Sequence, residues 1–333
     1  MSVARIRTVV AALVVALAVA SCGIGSTPTP AATKLVVGLG FISSVQFAPF
    51  YLADQAGYYR DAGLDVELQN QIDPNLVPLV GQGAIDIGTA DGTSVIPAVS
   101  QDIPIVYVAT IYGKFPSIVF SKASSGIETA ADLAGKKIGI PGRYGSSWIM
   151  LQALLGSAGL TPDDVEIVEY PDFGQGTALA ADAVDAATGF ANNEPVSMEL
   201  SGTEVNVLHV DDVVALPGPG LIASRDTLSK KGAAVKAFIA ATLRAMHDIA
   251  NDPAKGVDAA IVAVPALGAV RPTEEAILAA TIAVWAPYNG NNDDFGTIDE
   301  AGWQASLDYM VELGDLVAKP VTLADLVDSS YLP

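Results

Sequence analysis

Short apolar runs alternate with longer amphipathic stretches along most of the chain. The apolar runs at 35–40 and 137–142 each end in glycine, and stretches with helical periodicity follow them at 49–62 and 147–158. A glycine closes each helical stretch, where helix C-termini favour it. Short strands that alternate with helices predict an α/β fold with largely parallel sheets, covered on both faces.

The same strand–helix pattern occurs twice, with the second copy about a hundred residues after the first. The tripeptide Asp-Val-Glu at 65–67 begins 21 residues before Asp86, and the same tripeptide at 164–166 begins 21 residues before Asp185. Each copy predicts a βαβαβ unit, and two such units predict two lobes. We expect structural roles for Asp86 and Asp185, because each precedes a strand.

Further strands are predicted outside the two units, at 105–110, 117–120 and 205–210. The glycines and prolines of 217–224 indicate that the chain crosses back to the first lobe there. The helical stretches after residue 233 are expected to pack on that lobe. The predicted division is a first lobe at 34–122, a second lobe at 123–220 and a return to the first lobe at 221–333.

The first 21 residues have the pattern of a secretory signal. Arg5 and Arg7 precede a 13-residue apolar run at 8–20, which is too short to span a bilayer comfortably. The small residues before Cys22, the only cysteine, resemble the lipobox of bacterial lipoproteins, which implies cleavage before Cys22 and lipid attachment to it. An ordinary signal with a chance cysteine is the alternative. Residues 22–33 are predicted to form a flexible, lipidated tether.

The chain carries 17 basic and 37 acidic residues, which gives a formal net charge of −20. Such a surface repels nucleic acid and anionic lipid head groups. We therefore expect no nucleic-acid partner, and attachment to the membrane by the lipid anchor only.

Four loops follow the first and third strands of the two units, at 40–46, 91–94, 141–147 and 191–194. In open α/β sheets, ligands bind beyond the carboxyl ends of the strands and close to helix N-termini. We therefore expect these loops to face a common cleft.

The loop at 191–194 is the most polar of the four. An apolar run ends there in Asn192, Asn193 and Glu194, and Pro195 suits the first turn of a following helix. Helix capping is one interpretation of these side chains. Capping needs only one of them, however, so three in a row favour contact with a ligand.

Four segments carry a resemblance to a known family: "QFAPFYLADQAGYYRDAGLDVEL", "GAIDIGTADGTSVI", "KKIGIPGRYGSSWIMLQALL" and "VDAATGFANNEP". They resemble the solute-binding proteins of ABC importers, in the family that includes binders of nitrate, alkanesulfonates, thiamine-pyrimidine precursors and riboflavin. The resemblance covers nearly the whole chain after residue 34. It implies a type II periplasmic binding protein, in which two doubly wound α/β lobes are joined by two crossovers and close on the ligand by hinge motion.

The resemblance also implies partners and a location. The closed protein would deliver its small heterocyclic ligand to an ABC permease, which a separate ATPase drives. We expect a monomer outside the cytoplasm, in the cell envelope, anchored to the membrane through Cys22.

Catalytic and cofactor motifs are not found in the sequence. "GLGFIS" lacks the third glycine of a dinucleotide loop, "GRYGSS" lacks the lysine of a P-loop, and no Gly-x-Ser-x-Gly elbow occurs. His209 and His247 have no second ligand at metal spacing. We predict a binding protein without metal or cofactor. A pyrimidine-metabolising enzyme on the same fold is the alternative.

The candidate ligand-binding residues combine aromatic rings with amides, hydroxyls and carboxylates, and Arg143 is the only cation among them. A nitrate or sulfonate site needs cations or several free N–H groups, whereas a flat nitrogen heterocycle needs stacking faces and polar partners for its ring. The set favours riboflavin or a thiamine-pyrimidine precursor, with a small anion such as nitrate or an alkanesulfonate as the alternative. The candidates are Phe41, Gln46, Phe47, Asp91, Thr93, Ser94, Tyr112, Arg143, Tyr144, Ser146, Ser147, Trp148, Phe173, Phe190, Asn192, Asn193, Glu194 and Trp285.

Structural roles remain the alternative for many of these side chains. In the ligand-binding interpretation, the heterocycle stacks on an aromatic face of one lobe, and the loop at 192–194 of the other lobe completes its hydrogen bonds, which favours closure. The structural alternatives are core packing for Phe47, Phe173, Phe190 and Trp148, capping for Asp91, Thr93, Ser94, Ser146 and Ser147, and an ion pair for Arg143.

Overall fold

The computed structural model describes residues 31–70, 75–286, 294–314 and 316–333. The predicted signal and Cys22 lie outside the described residues. Thr33–Pro333 cluster into one unit. None of the helices that the structure describes is both long enough and apolar enough to cross a membrane.

The first sheet consists of five strands: β1 (Thr33–Leu39), β2 (Leu64–Asn70), β3 (Ile87–Ala90), β4 (Ile105–Thr110) and β10 (Gly220–Ser224). Their order is β2-β1-β3-β10-β4. β1 is parallel to β2 and β3, whereas β10 is antiparallel to β3 and β4. The strand that returns from the second half of the chain therefore lies inside this sheet.

The second sheet also has five strands: β5 (Ser117–Lys122), β6 (Lys137–Ile140), β7 (Glu166–Glu169), β8 (Ala186–Phe190) and β9 (Val205–His209). Their order is β7-β6-β8-β5-β9. β6 is parallel to β7 and β8, whereas β5 is antiparallel to β8 and β9. The two sheets thus have equivalent strand orders, which confirms the duplicated unit.

The chain passes between the sheets twice, at 111–116 and at 210–219. The first lobe was predicted to extend to residue 122, but β5 pairs with β8 and β9 and belongs to the second sheet. The crossover therefore precedes Ser117. Each sheet also contains one antiparallel strand, which the alternation of strands and helices did not reveal.

Asp86 and Asp185 have equivalent positions in the two sheets. The Val36 N–H donates to Asp86 Oδ2 at 2.9 Å, and the Lys137 N–H donates to Asp185 Oδ2 at 2.8 Å. Asp86 also accepts from Lys231 Nζ at 2.8 Å, which ties the long C-terminal helix to the first sheet. Both aspartates therefore hold a strand to the turn that precedes its neighbour, as predicted.

Helices cover both sheets, and the C-terminal helices pack on the first sheet as expected. The stretch predicted as one helix at 49–62 is divided at Gly57, whose φ of 79° is the left-handed conformation that glycine tolerates. We call the first sheet with its helices lobe 1, and the second sheet with α5, α6 and α7 lobe 2. The helices are α1 (Ala48–Gln55), α2 (Tyr58–Asp61), α3 (Leu76–Gly81), α4 (Gly92–Ser100), α5 (Gly145–Ser157), α6 (Gln175–Ala180), α7 (Glu194–Leu200), α8 (Arg225–Asn251), α9 (Pro253–Ala263), α10 (Arg271–Trp285), α11 (Glu300–Glu312) and α12 (Leu323–Leu326).

Candidate ligand-binding cleft

A cleft lies between the lobes, at the carboxyl ends of β1, β3, β6 and β8. Loops from both lobes line it, as do Tyr112 of the first crossover and Pro219 of the second. The expected convergence of the four loops is therefore observed. The candidate residues that line the cleft are Phe41, Gln46, Phe47, Asp91, Tyr112, Tyr144, Ser146, Ser147, Phe173, Phe190, Asn193 and Glu194.

Aromatic side chains form much of the cleft wall. Phe41 of lobe 1 meets Phe173 of lobe 2 edge to face, with ring centroids 4.9 Å apart and an interplanar angle of 84°. Phe173 has a φ of 60°, a left-handed conformation that is rare for a bulky residue. Such strain persists where the surrounding structure imposes it, and it clusters at functional sites. The two rings therefore bring the lobes into contact beside the cleft.

Asp91 is buried where lobe 1 faces lobe 2. Its Oδ1 accepts hydrogen bonds from the Thr93 hydroxyl at 2.5 Å and from the Ser94 N–H at 3.1 Å, so Asp91 is the N-cap of α4. The Ser146 side chain of lobe 2 is close enough to this carboxyl to lower its pKa. Burial raises the pKa of Asp91, and these hydrogen bonds oppose the rise.

Glu194 is the first residue of α7, and its side chain turns back toward the strand before it. Its Oε2 accepts the Phe190 N–H at 2.9 Å, and burial raises the pKa of this carboxyl. A Cβ on Gly189 would lie 2.8 Å from Glu194 Oε2 and 2.8 Å from a ring carbon of Phe120. Glycine at position 189 therefore leaves the space that the carboxylate occupies.

Asn192 does not line the cleft, contrary to the prediction. Its side chain is buried, and its Nδ2 donates to Gln46 Oε1 at 3.1 Å and to Thr281 Oγ1 at 2.8 Å. The Tyr112 hydroxyl donates to the same oxygen of Gln46 at 3.3 Å. Asn192 of lobe 2 is therefore tied to lobe 1 through Gln46, which itself lines the cleft.

Arg143 and Trp148 also lie outside the lining. The exposed Arg143 side chain pairs with Glu169, with Nε and Oε1 3.3 Å apart, and its guanidinium lies 5.1 Å from the centre of the Trp148 ring. Trp148 packs against the core of lobe 2. The ion pair and the packing that were the structural alternatives for these residues are thus what the structure shows.

The three other candidates outside the lining serve the fold. Thr93 and Ser94 lie in the first turn of α4, where they hydrogen bond to Asp91. Trp285 is buried at the end of α10, edge to face with Phe295 at a centroid distance of 6.2 Å. Sequence position alone did not distinguish these core positions from the cleft surface.

Gln175 lines the cleft and was missed by the sequence analysis. It is only 2% exposed, and its Nε2 donates to the Thr188 carbonyl at 3.1 Å. Its Oε1 has no hydrogen-bond partner. A buried acceptor without a partner costs free energy unless a ligand or water satisfies it. The loop after β7 reaches the cleft, as the loops after β6 and β8 do. The predicted strand order could therefore have indicated that Gln175, which follows this loop, lies at the cleft.

The cleft offers aromatic faces together with hydrogen-bond acceptors. None of the described residues that line it is lysine, arginine or histidine, whereas carboxylates enter from both lobes at Asp91 and Glu194. In the described part of the chain, no group of three or more His, Cys, Asp or Glu side chains is placed to hold a metal ion. The arrangement suits a flat ligand that carries N–H or O–H donors.

Sequence comparison relates the chain to one family. The NMT1/THI5-like profile matches residues 44–256. A riboflavin-binding protein of Chloroflexus aurantiacus, RibY, is 28% identical over 99% of this chain and 98% of its own length. A formylaminopyrimidine-binding protein of Halalkalibacterium halodurans is 24% identical over 96% and 98%. A 4-amino-5-hydroxymethyl-2-methylpyrimidine phosphate synthase of Legionella pneumophila is 24% identical over 55% and 58%.

Solved structures share the fold. The alkanesulfonate-binding protein SsuA of Xanthomonas axonopodis pv. citri, bound to MOPS, superposes with a TM-score of 0.69. The superposition covers 91% of this chain and 100% of SsuA, at 19% sequence identity. The two-lobed fold of a type II periplasmic binding protein, with two crossovers, is therefore confirmed.

Proposed function

The chain belongs to the NMT1/THI5-like family, and we propose that it is the substrate-binding protein of an ABC importer, with riboflavin as its ligand. The observation that carries this proposal is a cleft with aromatic walls and acceptor groups but no cation among its described lining residues. The names of RibY and of the formylaminopyrimidine-binding protein, both matched over nearly their whole length, support a heterocyclic ligand.

The cleft residues suit the parts of a flavin. The ring system would stack on the aromatic walls, to which Phe41 and Phe173 contribute. The free Oε1 of Gln175 and the carboxylate of Glu194 would accept hydrogen bonds from ring N–H or ribityl hydroxyl groups. The amide of Gln46 would donate to a ring carbonyl. Closure of the lobes around the flavin would then be favoured because both lobes contact it.

Two other ligand classes and an enzymatic role are supported less well than riboflavin binding. A thiamine-pyrimidine precursor offers similar hydrogen-bonding groups, so it is the second candidate, but it would fill less of the aromatic surface. Nitrate or an alkanesulfonate would face carboxyl groups without a compensating cation among the lining residues that the structure describes. The pyrimidine phosphate synthase matches only about half of this chain, whereas the binding proteins match nearly all of it.

Delivery and anchoring complete the proposed function. The closed, liganded protein would dock as a monomer on a permease whose transport an ATPase drives. Cys22 would carry lipid outside the cytoplasm, and residues 22–33 would form the tether. In cells, Cys22→Ser should move the protein from the membrane fraction to the soluble fraction. A variant that remains in the membrane fraction would contradict lipid anchoring without affecting the proposed ligand.

Fluorescence tests the ligand directly. Riboflavin fluorescence should fall when the protein is added, because stacking on a cleft tyrosine such as Tyr144 quenches it, and calorimetry should give one site per chain. Absence of both signals at micromolar protein would exclude riboflavin. The same calorimetric titration with 4-amino-5-hydroxymethyl-2-methylpyrimidine then tests the second candidate. Mass spectrometry of the small molecule that co-purifies with the protein provides an independent check.

A further inference from the structure

We infer that the cleft accepts its ligand only in a form without a phosphate or other anionic group, because carboxylates of the protein occupy the positions where an anion would bind. This inference rests on the proposed function, since it concerns the same cleft. It adds a chemical limit on the ligand that the fold and the family do not impose.

Two helices of the cleft begin where an anionic ligand would be expected. α4 starts at the Asp91 loop, and α5 starts at Gly145 with Ser146 and Ser147, which line the cleft. Helix N-termini have free N–H groups and a positive end of the helix dipole, so they attract anions. The sulfonate-bound protein with this fold shows that the fold itself is compatible with an anionic ligand.

Asp91 places a carboxylate between these two helix starts. One of its oxygens accepts from the Thr93 hydroxyl and from the Ser94 N–H in the first turn of α4, and Ser146 of α5 lines the same cleft. The side chain is buried and is held in place as the N-cap of α4. A carboxyl group of the protein therefore already accepts the hydrogen bonds that an anionic ligand would need at the start of α4.

Glu194 adds a second carboxylate from the other lobe. It is held by the Phe190 N–H at 2.9 Å and lines the same cleft as Asp91. Arg143, the one cation that the sequence placed near the ligand, is exposed and pairs with Glu169. No lysine, arginine or histidine stands among the described lining residues to offset these charges.

A phosphate ester would therefore meet two carboxyl groups and, among the described lining residues, no cation. Like-charge contacts in interfaces are strongly unfavourable, so a phosphate ester should bind about 100-fold or more weakly than the parent alcohol. Phosphorylated forms of the ligand would need prior hydrolysis outside the membrane, in which water converts the ester to the alcohol and inorganic phosphate. The protein itself takes no part in that reaction.

Calorimetry with matched ligands tests the inference. Wild-type protein is titrated with riboflavin and with riboflavin 5′-phosphate. Asp91→Asn and Glu194→Gln, which keep the side-chain shape and remove the charge, should each reduce the difference between the two ligands. Glu199→Gln is the matched control, because Glu199 lies on α7 but is exposed and outside the cleft. It should leave the difference unchanged.

The outcomes separate this inference from the proposed function. If riboflavin and its phosphate bind within about threefold of each other, the inference is wrong and the riboflavin proposal stands. If neither flavin binds, the riboflavin proposal fails, and the aminopyrimidine and its phosphate ester decide the inference by the same comparison. Binding of MOPS at an affinity similar to that of the neutral ligand would also overturn the inference. So would the absence of binding by all four compounds, the flavin, the aminopyrimidine and their phosphate esters.

Discussion

Asn192 of lobe 2 donates a hydrogen bond to Gln46 of lobe 1, with Nδ2 and Oε1 3.1 Å apart although 146 residues separate them along the chain. The same amide donates to Thr281 at 2.8 Å, and the Thr281 hydroxyl donates in turn to the Ile277 carbonyl. One buried side chain thus joins the second lobe to both the cleft and the C-terminal helices of the first. Because the contact spans the two lobes, we expect it to favour the closed arrangement.

Loss of this contact should make closure less favourable. Asn192→Ala is expected to weaken ligand binding by about 1–3 kcal/mol, because Gln46 and Thr281 would lose a buried partner. Calorimetry gives the affinity, and small-angle scattering of the unliganded protein should show a more open average. Asn206→Ala removes an amide hydrogen bond within lobe 2 and serves as the control, since it should leave affinity unchanged. Equal affinities for Asn192→Ala and wild type would contradict the closing role.

Gln175 is expected to contact the ligand through its unpartnered oxygen. Gln175→Met keeps the size of the side chain and removes the acceptor, so affinity should fall by about 1–3 kcal/mol. Calorimetry measures the loss, and Gln304→Met on the exposed face of α11 is the control. A ligand that binds Gln175→Met as well as wild type would show that water, rather than ligand, satisfies this oxygen.

Gly189 should be needed for the position of the Glu194 carboxylate. In Gly189→Ala the new methyl group would lie 2.8 Å from Glu194 Oε2, so the carboxylate must leave the Phe190 N–H. We expect weaker ligand binding without any change in charge, and a stability loss of about 1–3 kcal/mol from overpacking. Gly156→Ala lies in α5 with no heavy atom near its Cβ and should be neutral or stabilising. Unchanged binding in Gly189→Ala would place Glu194 outside ligand recognition.

The buried Asp91 carboxyl should make stability depend on pH in a defined direction. Its pKa is raised in the folded state by burial, so its contribution to stability is complete below the ordinary aspartate pKa of about 3.9 and is lost as pH rises through the folded pKa. Asp91→Asn, which can still cap α4, should therefore gain stability over wild type as pH rises through this window. Urea unfolding from pH 3 to pH 8 measures the gain.

Asp164 provides a control of opposite sign for that experiment. Hydrogen bonds from the Thr161 N–H and hydroxyl lower the pKa of Asp164. Its contribution is therefore present above the ordinary aspartate pKa and is lost as pH falls through the lowered value. Asp164→Asn should be less stable than wild type near neutral pH and equal to it in acid. The same pH trend in both variants would contradict the assigned causes.

Phe41 and Phe173 should be energetically coupled when the lobes are closed. Edge-to-face pairs contribute about 0.5–1.5 kcal/mol beyond area burial. A double-mutant cycle of Phe41→Ala and Phe173→Ala on ligand affinity should give a coupling of that size. A control cycle that uses Phe47→Ala in place of one of these two variants should give no coupling, because Phe47 packs against Phe50 instead. Additive effects of Phe41→Ala and Phe173→Ala would show that the rings do not meet in the liganded protein.

The alternation of elements was enough to predict the duplicated lobes and the loops that meet between them. Parallel strands place their carboxyl ends at one edge of a sheet. The positions of the strands in the sequence were therefore enough to predict most of the loops that line the cleft. Asn192 shows the limit: its partner Thr281 lies 89 residues further along the chain, in a helix of the other lobe. No local pattern indicates such a contact, and the neighbouring Asn193 does line the cleft.

The sequence does not show which way a side chain points within a loop or a first helical turn, so some candidate residues were assigned wrongly to the cleft. Arg143, Ser146 and Trp148 are close in sequence, yet Ser146 faces the cleft while Trp148 turns into the core of lobe 2. The strand β5 looked like a continuation of the first lobe because it follows β4 closely. Its sheet was decided by antiparallel pairing with β8 and β9, strands that come much later in the chain.

The placement of β10 has a consequence for the order in which the protein matures. All strands of the second sheet come from Ser117 to His209, whereas the first sheet needs Gly220–Ser224 between β3 and β4. Because the chain is synthesised from its N-terminus, all strands of the second sheet are present before the first sheet can be completed. Meanwhile β3 and β4 keep open edges, which are prone to aberrant pairing between chains. Chaperones that act on the folding chain should therefore be needed most at the first sheet.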